Sequence, residues 1–395
     1  RILHMDKVLI PFRQGKLLNS LFLASILISF HYSLVIYVNS SLLSVYFTEG
    51  QVSALYIIGS ILDLIMLINA SRILEKIGSF KFILYSVTFE LLSTIGLLLS
   101  ANAFLVSLSF LIHVFNISLI LFNMDVLVES GSSDETKTGG IRATYLTIGS
   151  ICLVISPTIV SFLVKGESYT YVYLLSAIFL IPLYIFIHNF RKIQEKPRRH
   201  IVLKETTQEY LKNKNLFDVT VSNFLLQLFY GFMVIYMPIY LNQHIGFSWS
   251  EIGIIFTIML LPFVLFELPV GELEDYKYGE KEFLTIGFVI LSLATVSMSL
   301  ISTKTFWLWA VILFISRIGA SFVEISSESY FFKQVNDERS DIISLFRGVR
   351  PVAFIVAPVV ATISLQMIPF QYIFIVFGAI MVIGTKFSLS LKDTR

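Results

Sequence analysis

Long apolar runs dominate this chain and limit the folds open to it. A helix needs about 20 residues to cross about 30 Å of hydrocarbon. Twelve stretches of about that length occur, at 17–38, 51–73, 80–100, 103–127, 140–164, 169–189, 216–241, 249–271, 283–302, 305–331, 341–364 and 368–390. They lack the two-residue alternation of barrel strands and are about twice as long. With 56% hydrophobic residues in 395, little polar sequence is left to coat soluble domains. We therefore predict an all-α membrane protein with twelve transmembrane helices.

The placement of basic residues predicts the orientation. Of the 29 Lys and Arg residues, 26 lie at the two termini, in the loops after every second predicted span, or in the parts of the spans that flank those loops and termini. The positive-inside rule then places both termini in the cytoplasm, and we predict a multi-pass protein of the cytoplasmic (plasma) membrane. The net charge of +2 reflects this orientation and gives no reason to expect a nucleic-acid partner.

The chain divides into two halves that repeat. The hydrophilic interval 191–215 predicts a cytoplasmic linker between a six-helix bundle at 1–190 and another at 216–395. Gly78 and Gly279, each in a charged loop after the second span of its half, are 201 residues apart, and so are Pro157 and Pro358. Two landmarks with one offset indicate a duplicated six-helix unit, a common architecture among transporters.

Two six-helix halves, a basic linker and a charged, glycine-containing loop in each half resemble the major facilitator superfamily. This resemblance implies two pseudo-symmetric bundles and a solute site that opens alternately to each side by a rocker-switch motion. It also implies that Asp275 approaches Arg142, and that Glu75 approaches Arg347 and Arg350, as latches on the cytoplasmic side. A solvated loop that merely ends a helix is the alternative. The gating candidates are Glu75, Lys76, Gly78, Asp275, Lys277, Gly279, Arg142, Arg347 and Arg350.

Titratable side chains near the middle of the predicted spans are costly and are functional candidates by default. In the first half, Asp63 and Glu90 lie at similar depth on neighbouring spans. They could share a proton, which suits proton coupling, or Glu90 could be protonated and hydrogen-bonded to Asp63 or Ser93. His31, His113 and Asp63 could in principle meet around a metal, but no spacing motif supports one, and we predict none.

Arg317 is the central charge of the second half, and Asn116 occupies its repeat position in the first. A buried Arg needs a partner, so we expect Glu324 or Glu328 to pair with it as a structural ion pair. Bidentate binding of an anionic solute is the alternative. The resemblance places the first, fourth, seventh and tenth spans around the solute. The substrate-binding and coupling candidates are His31, Tyr32, Asp63, Glu90, His113, Asn116, Tyr236, Arg317 and Glu324.

Together these features predict a secondary active transporter for a small solute, coupled to protons, with import and export both open. A transporter-like sensor or assembly partner that moves no solute is the alternative. The sequence has no nucleotide-binding loop, metal motif or nucleophile arrangement, so we predict neither an enzyme nor a cofactor. The expected partners are the solute, membrane lipid and protons, and the expected oligomeric state is a monomer.

Overall fold

The computed structural model describes residues 16–131, 138–166, 168–192, 208, 210–276, 278–335 and 340–392. The described residues contain twelve α-helices. They are α1 (Lys16–Val35), α2 (Asn39–Ser44), α3 (Glu49–Leu99), α4 (Ala103–Gly131), α5 (Thr138–Leu163), α6 (Thr170–Ile187), α7 (Lys214–Ile239), α8 (Trp249–Tyr276), α9 (Glu280–Met298), α10 (Phe306–Gln334), α11 (Ser340–Leu365) and α12 (Ile373–Ser390). A π-helical turn, Tyr240–His244, extends α7, and 3-10 turns follow α6 and precede α12.

Eleven helical segments in the described part of the chain are long and apolar enough to cross a membrane, and two of them lie within α3. This makes the chain a multi-pass membrane protein. The predicted span at 140–164 corresponds to α5, whose apolar part, Ile148–Leu163, is shorter than a full span. The count of twelve spans and the cytoplasmic position of the termini therefore stay predictions.

Two glycines 201 residues apart adopt the same unusual backbone conformation. Gly78 has φ 78° and ψ 154° and bends α3, which covers the second and third predicted spans. Gly279 has φ 94° and ψ 163° and precedes α9. This region of backbone space is open essentially to glycine alone. The repeat seen in the sequence is thus a repeat of local structure.

The described residues form two compact units, within Arg1–Thr48 plus Ile58–Pro197 and within Glu49–Ile57 plus Arg198–Arg395. The first turns of α3 group with the second unit, where Ser53 Oγ lies 2.5 Å from the Tyr236 hydroxyl and Glu49 Oε1 lies 2.9 Å from His244 Nε2. Most of the predicted linker, 191–215, lies outside the described residues.

Each unit has a tightly packed interior. In the first unit, an apolar core joins α1, α3, α4 and α6. In the second, α9 and α10 cross at Gly287 and Gly319, where an added Cβ on Gly319 would lie 2.7 Å from the Gly287 carbonyl oxygen. Small residues allow such close approach of helices in lipid, where hydrophobic association adds little.

Candidate functional site

Three titratable side chains from three helices meet inside the first unit. His31 of α1 and Glu90 of α3 are 0% exposed, and His113 of α4 is 3% exposed. The Glu90 carboxylate oxygen Oε1 lies 2.9 Å from His31 Nε2 and 2.5 Å from His113 Nδ1. Because an ionised carboxylate only accepts hydrogen bonds, both ring nitrogens carry a hydrogen when Glu90 is charged. We call these three residues the polar cluster.

The second oxygen of Glu90 is held by Asn116. The Asn116 amide nitrogen donates to Glu90 Oε2 at 3.1 Å and to the Ser86 carbonyl at 2.6 Å, so both of its hydrogens are used. Ser93 donates its hydroxyl to the backbone carbonyl of Glu90 and does not contact the carboxylate in this structure. A buried carboxylate needs such a set of donors, since burial without hydrogen bonds is costly.

The outer nitrogen of His31 faces Ser176 of α6, and this contact accommodates two protonation states. His31 Nδ1 lies 2.7 Å from Ser176 Oγ and 3.2 Å from the Ser176 carbonyl oxygen, and Ser176 Oγ lies 3.1 Å from the His31 carbonyl oxygen. When the ring is neutral, the Ser176 hydroxyl donates to Nδ1. When it is protonated, Nδ1–H donates to Ser176 and the hydroxyl turns to the His31 carbonyl. In either state these atoms have partners.

The second half has apolar residues where the first has this cluster. The residues that follow His31, Glu90, His113 and Ser176 by 201 are Phe232, Leu291, Phe314 and Phe377. The rings of Phe232 and Phe377 stack with their centroids 3.9 Å apart, in the place of the His31–Ser176 hydrogen bond. Leu291 is fully buried. A bundle of this repeat therefore packs with apolar residues at these positions, so the fold does not require the polar cluster.

The polar cluster presents atoms that metals bind, but its spacing is that of hydrogen bonds. The two ring nitrogens and a carboxylate oxygen lie within 4.8 Å of one another. A tetrahedral zinc ion with bonds of about 2.0–2.1 Å keeps its ligand atoms about 3.3 Å apart, whereas Oε1 lies 2.9 and 2.5 Å from the two nitrogens. Asp63, which sequence reasoning grouped with the histidines, accepts a hydrogen bond from Ser118 at 3.0 Å. In this structure the three side chains are spaced as hydrogen-bonded groups.

Arg317 of α10 lies buried in the second unit, with 1% of its surface exposed. Its guanidinium carbon lies 4.9 Å from the ring centroid of Phe229 and 5.4 Å from that of Tyr230, both on α7. Among the residues that the structure describes, its Nε and Nη1 have no hydrogen-bond acceptor. The aromatic rings stabilise the cation but leave these N–H groups unused.

The carboxylates expected to pair with Arg317 have other partners. Glu324 Oε2 accepts a hydrogen bond from the Tyr230 hydroxyl at 2.7 Å. Glu328 binds Arg347 through two hydrogen bonds of 2.8 and 3.2 Å. The expected Arg–Glu pair within α10 is therefore wrong. A rise of 1.5 Å per residue puts Glu324 about 10 Å along the axis from Arg317, so a contact would need both side chains extended along the helix.

The remaining candidates are dispersed. Tyr32 packs partly buried against the core of the first unit, and Tyr236 is fully buried beside Ser53. Glu75 and Lys76 are exposed, and the guanidinium of Arg350 lies over the Phe354 ring at 5.7 Å. The side chains of Arg142, Asp275 and Lys277 lie outside the described residues, so the latch between Asp275 and Arg142 stays a prediction. The latch between Glu75 and Arg347 or Arg350 would join the two units, and it also stays a prediction.

Sequence reasoning missed three residues that the structure brings to these sites: Ser176, Phe229 and Tyr230. Serine and aromatic residues are common in this chain, so their presence alone did not mark these positions. Spacing along one helix does not show which residues of another helix face it. Polar residues at both repeat positions, Asn116 and Arg317, indicated the helices on which the sites lie. They did not reveal these neighbouring residues.

Comparison with known proteins identifies the fold and the family. Residues 21–251 and 219–393 match the family model described as Major Facilitator Superfamily. A curated relative from Methanocaldococcus jannaschii, described as an uncharacterized MFS-type transporter, is 26% identical over 182 residues. This match covers 46% of each protein, so the chain spans less than half the length of the curated relative it matches.

Solved structures share the fold over nearly all of the chain. The crystal structure of nucleoside transporter NupG has a TM-score of 0.74 at 15% identity and covers 96% of this chain and 100% of that one. The D-xylose–proton symporter has a TM-score of 0.70 at 13% identity, covering 96% and 98%. At such low identities the likeness shows the fold alone.

Proposed function

This chain belongs to the major facilitator superfamily, and we propose that it moves a small solute across the membrane by rocker-switch alternating access coupled to protons. The transporters that share its fold support the solute, and the name of the D-xylose–proton symporter supports the coupling ion. The polar cluster carries the proposal for this chain itself.

The argument for proton coupling is one of charge. With Glu90 ionised and one histidine protonated, the polar cluster is neutral, and with both histidines neutral it carries one buried negative charge. A buried, uncompensated charge is costly, so a dry cluster retains its proton and a hydrated one can release it. A carrier that hydrates the polar cluster in one conformation only would link proton release to the conformational change.

The hydrogen bonds of the polar cluster make this exchange reversible. Ser176 serves His31 in both protonation states, and Asn116 keeps Glu90 in place throughout. Packing does not explain the presence of the polar cluster, because the second half packs Phe232 and Leu291 at the corresponding positions. A costly group that packing does not require points to a functional role.

Solute-dependent proton movement in proteoliposomes tests the proposal. A pH-sensitive dye inside the vesicles reports protons while sugars, nucleosides, amino acids and organic anions are added outside. For a solute that moves protons in the native protein, Glu90→Gln should abolish the proton signal and retain solute exchange, because an amide fills the site but cannot ionise. Glu282→Gln, on an exposed carboxylate of α9, should leave both unchanged.

Any one of three results would contradict the proposal. Proton movement that survives in Glu90→Gln removes the polar cluster from coupling. A native protein that is folded and oriented but exchanges no solute favours the sensor or assembly role. Bound zinc or manganese in the purified protein, lost in Glu90→Gln, would make the polar cluster a metal site instead.

A further inference from the structure

We infer that the solute carries an anionic group and that Arg317 receives it. This inference rests on the proposed function, because it assumes that the chain binds a solute. It deepens that function by naming the chemical class of the solute. The proposed binding site lies in the second unit and includes no residue of the polar cluster.

The first step is the cost of Arg317 as the structure has it. Removing a guanidinium from water without a counter-charge costs several kcal/mol, and an aromatic ring returns about 0.5–2 kcal/mol. Phe229 and Tyr230 therefore offset only part of the cost. The carboxylates of Glu324 and Glu328 bind Tyr230 and Arg347 instead. The buried guanidinium of Arg317 is costly and has unused N–H groups. It is therefore suited to bind an anion that is not part of the chain.

The second step is the contrast with the other half. Asn116, at the repeat position of Arg317, spends its amide hydrogens on the Ser86 carbonyl and the Glu90 carboxylate. Its role is to hold other side chains in place. Arg317 makes no such bonds through Nε and Nη1 to the described residues, although it is as deeply buried. In the first half, the side chain at this repeat position therefore holds other side chains in place. In the second half, the donors of Arg317 are left for a group outside the chain.

The surroundings narrow the class of anion. Arginine binds planar carboxylates through paired hydrogen bonds. Glu324 joins the same group of side chains through Tyr230 and, when it is ionised, disfavours a dianion such as a phosphate monoester. The rings of Phe229 and Tyr230 provide an apolar wall for the body of the solute. These features favour an organic monocarboxylate.

Thermal unfolding of the purified protein in detergent gives a direct test of binding. The probes are matched pairs of a carboxylate and its neutral amide: lactate with lactamide, benzoate with benzamide, and nicotinate with nicotinamide. At least one carboxylate should raise the apparent Tm where its amide does not. Phenyl phosphate should bind more weakly than benzoate.

Arg317→Gln should remove that shift and weaken the Kd at least tenfold. Arg191→Gln is the matched control, since Arg191 also lies over an aromatic ring, Phe80, but is exposed. It should retain the full shift. Without ligand, Arg317→Gln should unfold at or above the native Tm, because an uncompensated charge has been removed. Arg317→Lys, which retains the charge but not the planar fork, should show an intermediate affinity.

The outcomes separate this inference from the proposed function. A carboxylate shift that persists in Arg317→Gln, or a panel in which no carboxylate stabilises the native protein, overturns the inference. If neutral solutes alone are carried with protons, the proposed function stands and the inference falls. If a carboxylate binds through Arg317 but no solute is transported, the inference about this site stands and transport falls.

Discussion

Replacing Gly319 with alanine tests the crossing of α9 and α10 and predicts a measurable loss of stability. An added Cβ would lie 2.6 Å from the backbone nitrogen of Leu291 and 2.7 Å from the carbonyl oxygen of Gly287. Non-bonded heavy atoms prefer about 3.5 Å. Because both neighbours are backbone atoms of a regular helix, no side chain can move aside, and the two helices must separate by about 0.8 Å.

The magnitude follows from two opposing contributions. Overpacking costs about 1–3 kcal/mol, and a clash with backbone takes the upper end of that range. Alanine returns about 1 kcal/mol relative to glycine through its better helix propensity. The net loss is therefore about 2 kcal/mol. If the crossing forms late in folding, this loss appears as unfolding about 30-fold faster.

The assay compares two glycines within helices. Gly348 of α11 has nothing within 4 Å of its added Cβ, so Gly348→Ala should gain stability from helix propensity alone. Unfolding rates are measured at one temperature in one detergent by tryptophan fluorescence, because heat unfolding of a membrane protein is commonly irreversible. Gly319→Ala should unfold faster than the native protein, and Gly348→Ala at the same rate or more slowly. If the two variants unfold at equal rates, the close helix contact does not limit stability and the reasoning fails.

Two further predictions come from the repeat. Gly78→Ala and Gly279→Ala should each lower the apparent Tm, since their φ of 78° and 94° costs another residue about 1–3 kcal/mol; an effect at one position only would contradict the shared conformation. Replacing the polar cluster with residues of the other half (His31→Phe, Glu90→Leu and His113→Phe together) should keep the fold and abolish proton movement. Glu90→Leu alone should be less stable than the triple variant, because it leaves buried ring N–H groups without an acceptor. The apparent Tm measures the stabilities, and the dye assay measures the proton movement. A triple variant less stable than Glu90→Leu would refute the prediction about the polar cluster.

Several features could be predicted from the sequence because their causes are local. The apolar runs follow from the thickness of the bilayer, and the structure has a helix at each of them. The offset between Gly78 and Gly279 predicted a repeat, and both glycines have the same backbone conformation. The resemblance to the major facilitator superfamily, drawn from these features, is confirmed by the family match.

The partners of the charged residues could not be predicted in this way. Depth in the membrane can be counted along a helix, so His31, Glu90 and His113 were placed near one level. Which of them touch depends on how each helix is rotated about its axis and which neighbours it packs against. Glu90 lies 59 residues from His31 and 23 from His113, and it binds both, although sequence reasoning paired it with Asp63 or Ser93.

The sequence by itself determined that this chain is a helical membrane protein, and it predicted two related halves with titratable residues near the middle of the spans. Those properties depend on residues that are close together in the sequence, so they can be read from the order of amino acids. Only the tertiary structure decided that one buried carboxylate is shared by two histidines and that one buried arginine keeps unused donors. Both depend on the rotation and crossing of helices far apart in the chain, and packing between helices sets those angles.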